Sequence, residues 1–217
     1  MDKNLIKSRK SLFSSLWRNV RAESVIRAME RVPRERFVPP ESRHMAYLDT
    51  PLSIGEGQTI SQPYIVALMA AALGLRGRDR VLEVGTGSGY QAAILSLLVP
   101  QGRVVSVELI PVLAERARCL LREMGYGNVE VQEAGPTMGC PGRAPFDAII
   151  VAAAAPRLPK SLLSQLAPGG RLVIPVGTLE QQNLVQVLRT DEGLSISMLG
   201  PCRFVPLIGW EAFPAPQ

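Results

Sequence analysis

The run Val81-Leu82-Glu83-Val84-Gly85-Thr86-Gly87-Ser88-Gly89-Tyr90-Gln91-Ala92-Ala93-Ile94-Leu95 decides how this chain is read. An apolar strand is followed by a glycine loop and then by a helical pattern. Glycines let the backbone approach a ligand closely, and the helix start offers unpaired N–H groups. The spacing is G-x-G-x-G, one residue short of the G-x-G-x-x-G that fits a dinucleotide pyrophosphate.

Outward from that loop the pattern repeats. Arg103-Val104-Val105-Ser106-Val107 is a second apolar run closed by an acid, Glu108, placed to take ribose hydroxyls. The glycine spacing and this acid together favour S-adenosylmethionine over NAD. Strands are predicted near 80–84, 103–108, 128–132, 146–151 and 171–176, with helices near 89–99, 111–125 and 159–166. Short runs apolar on both faces predict a mostly parallel, doubly wound α/β sheet. After Gly177, the stretches 183–189 and 194–199 read as antiparallel strands around Asp191-Glu192-Gly193, and a last strand is expected near 201–207.

Upstream, residues 11–32 predict one or two helices that end before Pro33. A loop with Pro33, Pro39, Pro40, Pro51, Gly55 and Gly57 follows, unusually long for a segment without a task. Pro63 suits the first turn of a helix that Gly74 and Gly77 stop.

Composition narrows the class. The chain has 217 residues, 47% of them hydrophobic and 20% charged, which excludes a disordered tail. Its longest apolar stretch, Ile65 to Leu75, is too short to cross a bilayer, and Lys7, Arg9 and Lys10 interrupt any leader-like start. A cytoplasmic location is expected. Three cysteines without C-x-x-C spacing predict reduced, mostly buried thiols, and a single histidine, His44, leaves no metal site in prospect. The net charge of +5 is uneven: residues 1–36 hold ten Lys or Arg against four Asp or Glu. Such an arm can meet nucleic acid or simply solvate a helix face. Its basic residues are spread through an amphipathic pattern, which favours the second use.

The chain resembles the protein-L-isoaspartate O-methyltransferases. The segments that carry the resemblance are Arg36-Phe37-Val38-Pro39, Ala46-Tyr47-Leu48-Asp49, Ile54-Gly55-Glu56-Gly57-Gln58-Thr59-Ile60-Ser61-Gln62-Pro63, Phe146-Asp147-Ala148-Ile149-Ile150-Val151 and Arg203-Phe204-Val205-Pro206-Leu207. The string from Ile54 to Pro63 is the most specific of them. The resemblance implies a seven-stranded Rossmann-like methyltransferase fold with a helical N-terminal extension and an antiparallel C-terminal portion. It implies one domain: residues 1–62 as helical arm and active-site loop, 63–177 as cofactor-binding core, 178–217 as C-terminal strands and tail. The implied reaction moves a methyl group from S-adenosylmethionine to the α-carboxylate of L-isoaspartyl residues in damaged proteins, leaving S-adenosylhomocysteine.

By the same resemblance Ser61 is the catalytic residue, although a serine just before a helix also reads as an N-cap. Thr59, Ile60, Glu83, Gly85, Thr86, Gly87, Ser88, Gly89, Glu108, Ala134 and Gly135 are expected to hold the cofactor. Ile54, Arg203, Val205, Pro206 and Leu207 are expected to meet the peptide. Damaged isoaspartyl proteins are the expected partners, with no nucleic acid, no membrane and a monomer favoured. One departure stands out. The family usually carries Gly-Asp-Gly after the third core strand, and here the stretch is Glu133-Ala134-Gly135. Losing a charged acceptor of that kind costs roughly 1.5–3 kcal/mol of affinity. A methyltransferase with another substrate and a catalytically quiet binding member therefore stay open. An NAD-dependent enzyme is disfavoured by the glycine spacing.

Overall fold

The computed structural model describes residues 3–214. Helix α1 (Lys3–Asn19) buries Leu12, Phe13 and Leu16 as a single stripe, so its basic residues point mainly outward. It breaks at Val20-Arg21-Ala22, and α2 (Glu23–Arg31) buries Val25, Ile26, Ala28 and Met29 before Pro33 ends the helical arm. The proline loop is not structureless. It holds two 3-10 turns, Arg34–Arg36 and Pro40–Met45, and an antiparallel hairpin of β1 (Leu52–Gly55) and β2 (Gln58–Ile60). The hairpin escaped the sequence reading because its strands are too short for an alternation to register.

Helix α3 (Pro63–Leu73) starts on its proline and stops at Gly74 in the left-handed region, φ 54°. Six core segments follow: β3 (Arg80–Val84), α4 (Tyr90–Leu98), β4 (Arg103–Glu108), α5 (Pro111–Glu123), β5 (Val129–Glu133) and β6 (Phe146–Val151). Then come α6 (Lys160–Ser164), β7 (Leu166–Gly177), β8 (Gln182–Thr190) and β9 (Gly193–Cys202). The seven-stranded sheet runs β5-β4-β3-β6-β7-β8-β9. Pairings from β5 to β7 are parallel, and β7–β8 and β8–β9 are antiparallel.

Alternation along each strand sorts the core. Leu82, Val84, Val105, Val107, Ile149 and Val151 face α6 and Leu207 on one side. Val81, Val104, Ala148, Ile150 and Val173 meet Met69, Leu73 and Leu95 on the other. Because β3 is flanked by β4 on one side and β6 on the other, the loops leaving β3 and β6 diverge. That divergence opens a crevice at the carboxyl ends of the strands.

Two expectations need correction. No strand spans 201–207: β9 ends at Cys202, and the next residues turn inward to bridge Ala154 through Pro206. The proline and the pull of Leu207 into the core prevent continued pairing with β8. The cysteines are not mostly buried either. Cys119 is exposed on the solvent face of α5, and Cys140 and Cys202 are half-buried. Among the described residues no helix is long and apolar enough to cross a membrane, and no three His, Cys, Asp or Glu side chains form a metal-holding group.

Candidate active site

A cavity of about 270 Å³ fills the crevice. Its floor is the glycine loop. Gly85, Gly87 and Gly89 have φ of 94°, 53° and 85°, a run of left-handed backbone that side chains would strain. A Cβ on Gly89 would meet Leu121 Cδ1 at 3.2 Å, so glycine there also lets α4 sit against α5.

Glu108 ties this floor to the next loop. One carboxylate oxygen accepts the Gly87 N–H at 2.8 Å and the other accepts the Ile110 N–H at 3.0 Å. Each oxygen keeps a further lone pair, and Glu108 lines the cavity. Behind the loop, Thr86 and Ser106 hydroxyls lie 2.5 Å apart, and Ser106 donates to Glu83. Glu83 is completely buried, and desolvation pushes its pKa up to about 8 against the pull of Ser106 and Gln91, with Glu108 adding to the rise. At neutral pH Glu83 is therefore largely protonated. The Gln91 amide is near enough to favour the carboxylate but falls short of a hydrogen bond: Gln91 Nε2 and Glu83 Oε1 are both buried without a partner.

The opposite wall belongs to β2 and the segment that follows it. Thr59, Ile60 and Ser61 line the cavity, and the Ser61 hydroxyl has no hydrogen-bond partner among the described residues. Ser61 does not cap α3. Gln62 occupies that position without a side-chain capping bond of its own, and Asp49 reaches in to take the Tyr64 N–H at 2.8 Å and the Gln62 amide at 3.1 Å. The remaining wall is Val205-Pro206-Leu207, fixed when Ala154 N–H donates to Val205 and Leu207 N–H donates to Ala154.

Of the residues expected from sequence, Ser61, Thr59, Ile60, Gly85, Thr86, Gly87, Ser88, Glu108, Ala134, Gly135, Val205, Pro206 and Leu207 meet around this one cavity. Glu83 and Gly89 stand behind its floor. Ile54 lies under the loop, with its Cδ1 3.5 Å from where a Gly87 Cβ would be. Arg203 is exposed and outside the lining. Gln91, Tyr90, Met138 and Trp210 line the cavity without having been singled out. Gln91 left a trace in the sequence, a lone amide in an otherwise apolar helix start. Trp210, 96% exposed at the mouth, left none.

The sequence profile of the protein-L-isoaspartate(D-aspartate) O-methyltransferases matches residues 7–212. The chain belongs to this family. A protein-L-isoaspartate O-methyltransferase of Ignicoccus hospitalis is 54% identical over 191 residues, covering 87% of this chain and 90% of its own. One from Marinobacter nauticus is 55% identical over 192 residues, covering 88% and 87%. Among solved structures, a protein-L-isoaspartate O-methyltransferase superposes with a TM-score of 0.84 at 31% identity, over 94% of this chain and 67% of that one. A Plasmodium falciparum relative, solved in complex with S-adenosyl-L-homocysteine, gives 0.79 at 25% identity over 91% and 96%.

Within this methyltransferase family frame, the departure at Ala134 sits in the open. Its methyl lines the cavity, its N–H is held by the Glu108 carbonyl at 2.7 Å, and neighbouring Glu133 is exposed and outside the lining. The carboxylate missing from position 134 is therefore not replaced by the adjacent one.

Proposed function

We propose that this chain methylates the free α-carboxylate of L-isoaspartyl residues in damaged proteins and peptides, with S-adenosylmethionine as donor. The observation that carries the reading is a single cavity whose floor is the glycine loop and whose wall bears an unengaged Ser61 hydroxyl. The donor fits the residues present. Left-handed glycines at the start of α4 leave room for a close backbone approach, Glu108 keeps acceptor capacity, and the Gln91 amide N–H is buried at the wall without a partner. When bound, S-adenosylmethionine supplies an electrophilic sulfonium methyl group.

The protein's own task is positioning. A substrate carboxylate is ionised at neutral pH, so no general base is required. Ser61 donates its hydroxyl to one carboxylate oxygen and orients the other toward the glycine loop, while Val205 to Leu207 line the peptide's path. Closure of the site by substrate removes water from the reacting groups. Residues 1–62 serve as arm and active-site loop, 63–177 as cofactor-binding core, and 178–217 as C-terminal strands and tail of one domain. It works as a monomer in the cytoplasm, where an exposed free thiol such as Cys119 is stable, and acts on proteins and not on nucleic acid.

The test uses radiolabelled S-adenosylmethionine with an L-isoaspartyl peptide and its L-aspartyl twin. Base-labile label on the isoaspartyl peptide alone is the expected result. Label on RNA or on neither peptide overturns the reading.

A further inference from the structure

The proposed substrate brings a negative charge into a cavity whose lining side chains carry no positive one, so that once the methyl group has left and the donor's sulfonium is neutral the cavity itself supplies no cation. Among the described residues, none of those lining the cavity is Lys, Arg or His, and the carboxyl group among them, that of Glu108, is an acid. Burying an anion against such a wall is costly unless a fixed positive charge stands close behind it.

One does. Arg34 is fully buried, and it lies directly behind Ser61. Its Nη2 donates to the Ser61 carbonyl at 2.9 Å and its Nε to the Ala46 carbonyl at 2.8 Å. The guanidinium sits 4.8 Å from the centroid of Tyr90, the first residue of α4 after the glycine loop. Its third nitrogen, Nη1, is buried without a hydrogen bond. No carboxylate among the described residues lies within ion-pair distance of it. Asp49 acts on it only at longer range, having committed its oxygens to Tyr64 and Gln62. A buried guanidinium stays charged, so this is a cation without an ion-pair partner, held by two carbonyls and an aromatic face, with the Asp49 charge acting on it from further off.

Structure alone does not call for it. A buried charge without an ionic partner is an expensive way to join three loops. The expense makes sense if the partner arrives with the substrate.

We propose that Arg34 is the counter-charge of the substrate carboxylate, a positioning residue that acts through Ser61. It fixes the Ser61 backbone, and so the hydroxyl, while its positive potential selects an ionised carboxylate over a neutral group at that place. The inference rests on the isoaspartyl reading above. It predicts discrimination that the Ser61 hydroxyl cannot supply alone, since a hydroxyl can donate to an amide carbonyl as well.

The experiment measures, by calorimetry on enzyme saturated with S-adenosylhomocysteine, the affinity of an isoaspartyl peptide and of its α-carboxamide twin. Wild type is expected to prefer the carboxylate by roughly 10- to 50-fold. Arg34→Met is expected to lose at least about 10-fold of that preference while S-adenosylhomocysteine affinity changes less than about 2-fold. A merely structural role would weaken both peptides alike. An unchanged preference in folded Arg34→Met overturns the inference. Should that variant not fold, Arg34→Lys decides. The retained charge should keep the preference within about 3-fold while turnover falls, because lysine cannot bridge two carbonyls in the same way. Lost preference in folded Arg34→Lys overturns the proposal. Wild type that binds and methylates neither peptide would instead sink the isoaspartyl reading, a separate result.

Discussion

The floor and the wall of the cavity are built by different means. The glycine loop is held from within one strand–helix–strand unit: Glu108 bonds Gly87, Ser106 bonds Glu83, and Gly85 N–H reaches Val107 across adjacent strands. The serine wall is held from outside its own segment. Arg34 and Asp49, both in the proline loop, fix Ser61, Gln62 and Tyr64, and the 205–207 segment is clamped by Ala154. The floor is thus a local motif that carries its own geometry. The wall is an assembly whose geometry exists only when the loops have packed. Changes to the wall should therefore act on turnover and fold, and changes to the floor on cofactor affinity and its pH dependence.

The strongest challenge to that division is Ser61→Ala. Turnover on an isoaspartyl peptide should fall by about 100-fold, with S-adenosylhomocysteine affinity within about 2-fold of wild type. Equal losses in both, by steady-state kinetics and calorimetry, would show floor and wall to be one unit.

Glu83 tests the floor. With its pKa raised from 4.5 to about 8, the folded protein keeps a proton there that the unfolded chain releases. Stability from this group is present below pH 4.5 and is lost as pH rises toward 8, levelling off beyond. Glu83→Gln removes that dependence, and relative to wild type it should gain about 4 kcal/mol between pH 5 and pH 9 in denaturant unfolding. Parallel curves for the two proteins would mean that Glu83 ionises normally.

Ala134→Asp sharpens the comparison from the other side. Restoring a carboxylate to an exposed position on the cavity should tighten S-adenosylmethionine about 10-fold by calorimetry, with little change in stability. No gain would mean that the adenine end is already satisfied by backbone. The smallest effect is expected for Asp49→Ala, which removes a remote cap from the start of α3. A loss of about 1 kcal/mol in thermal or denaturant unfolding is predicted. An unchanged midpoint would mean that water caps α3 equally well.

How much of this was legible follows the same line. The strands from Arg80 to Val176 announced themselves as short apolar runs, and the glycine loop by its spacing, since both depend on periodicity and local sterics. Ser61 was singled out through the specific string around it, not through any local signal of chemistry. The β1–β2 hairpin was missed because three or four residues carry too little alternation. The strand expected at 201–207 failed because apolar content there reflects burial of Leu207 against the core and not pairing. Asp49 stands in the sequence only as the end of the Ala46-Tyr47-Leu48-Asp49 segment, and nothing along the chain tells that its carboxylate reaches α3. Arg34 read as one more basic residue of the arm, although it is the buried one.

By itself the sequence determined the parallel core, the place of the glycine loop and the methyltransferase string, because spacing and hydrophobic period act over a few neighbouring residues. Only the tertiary structure decided which charges are buried, which helix Asp49 caps and what stands behind Ser61. Those depend on distance in space between segments far apart in the chain, and desolvation has no signature in the order of residues.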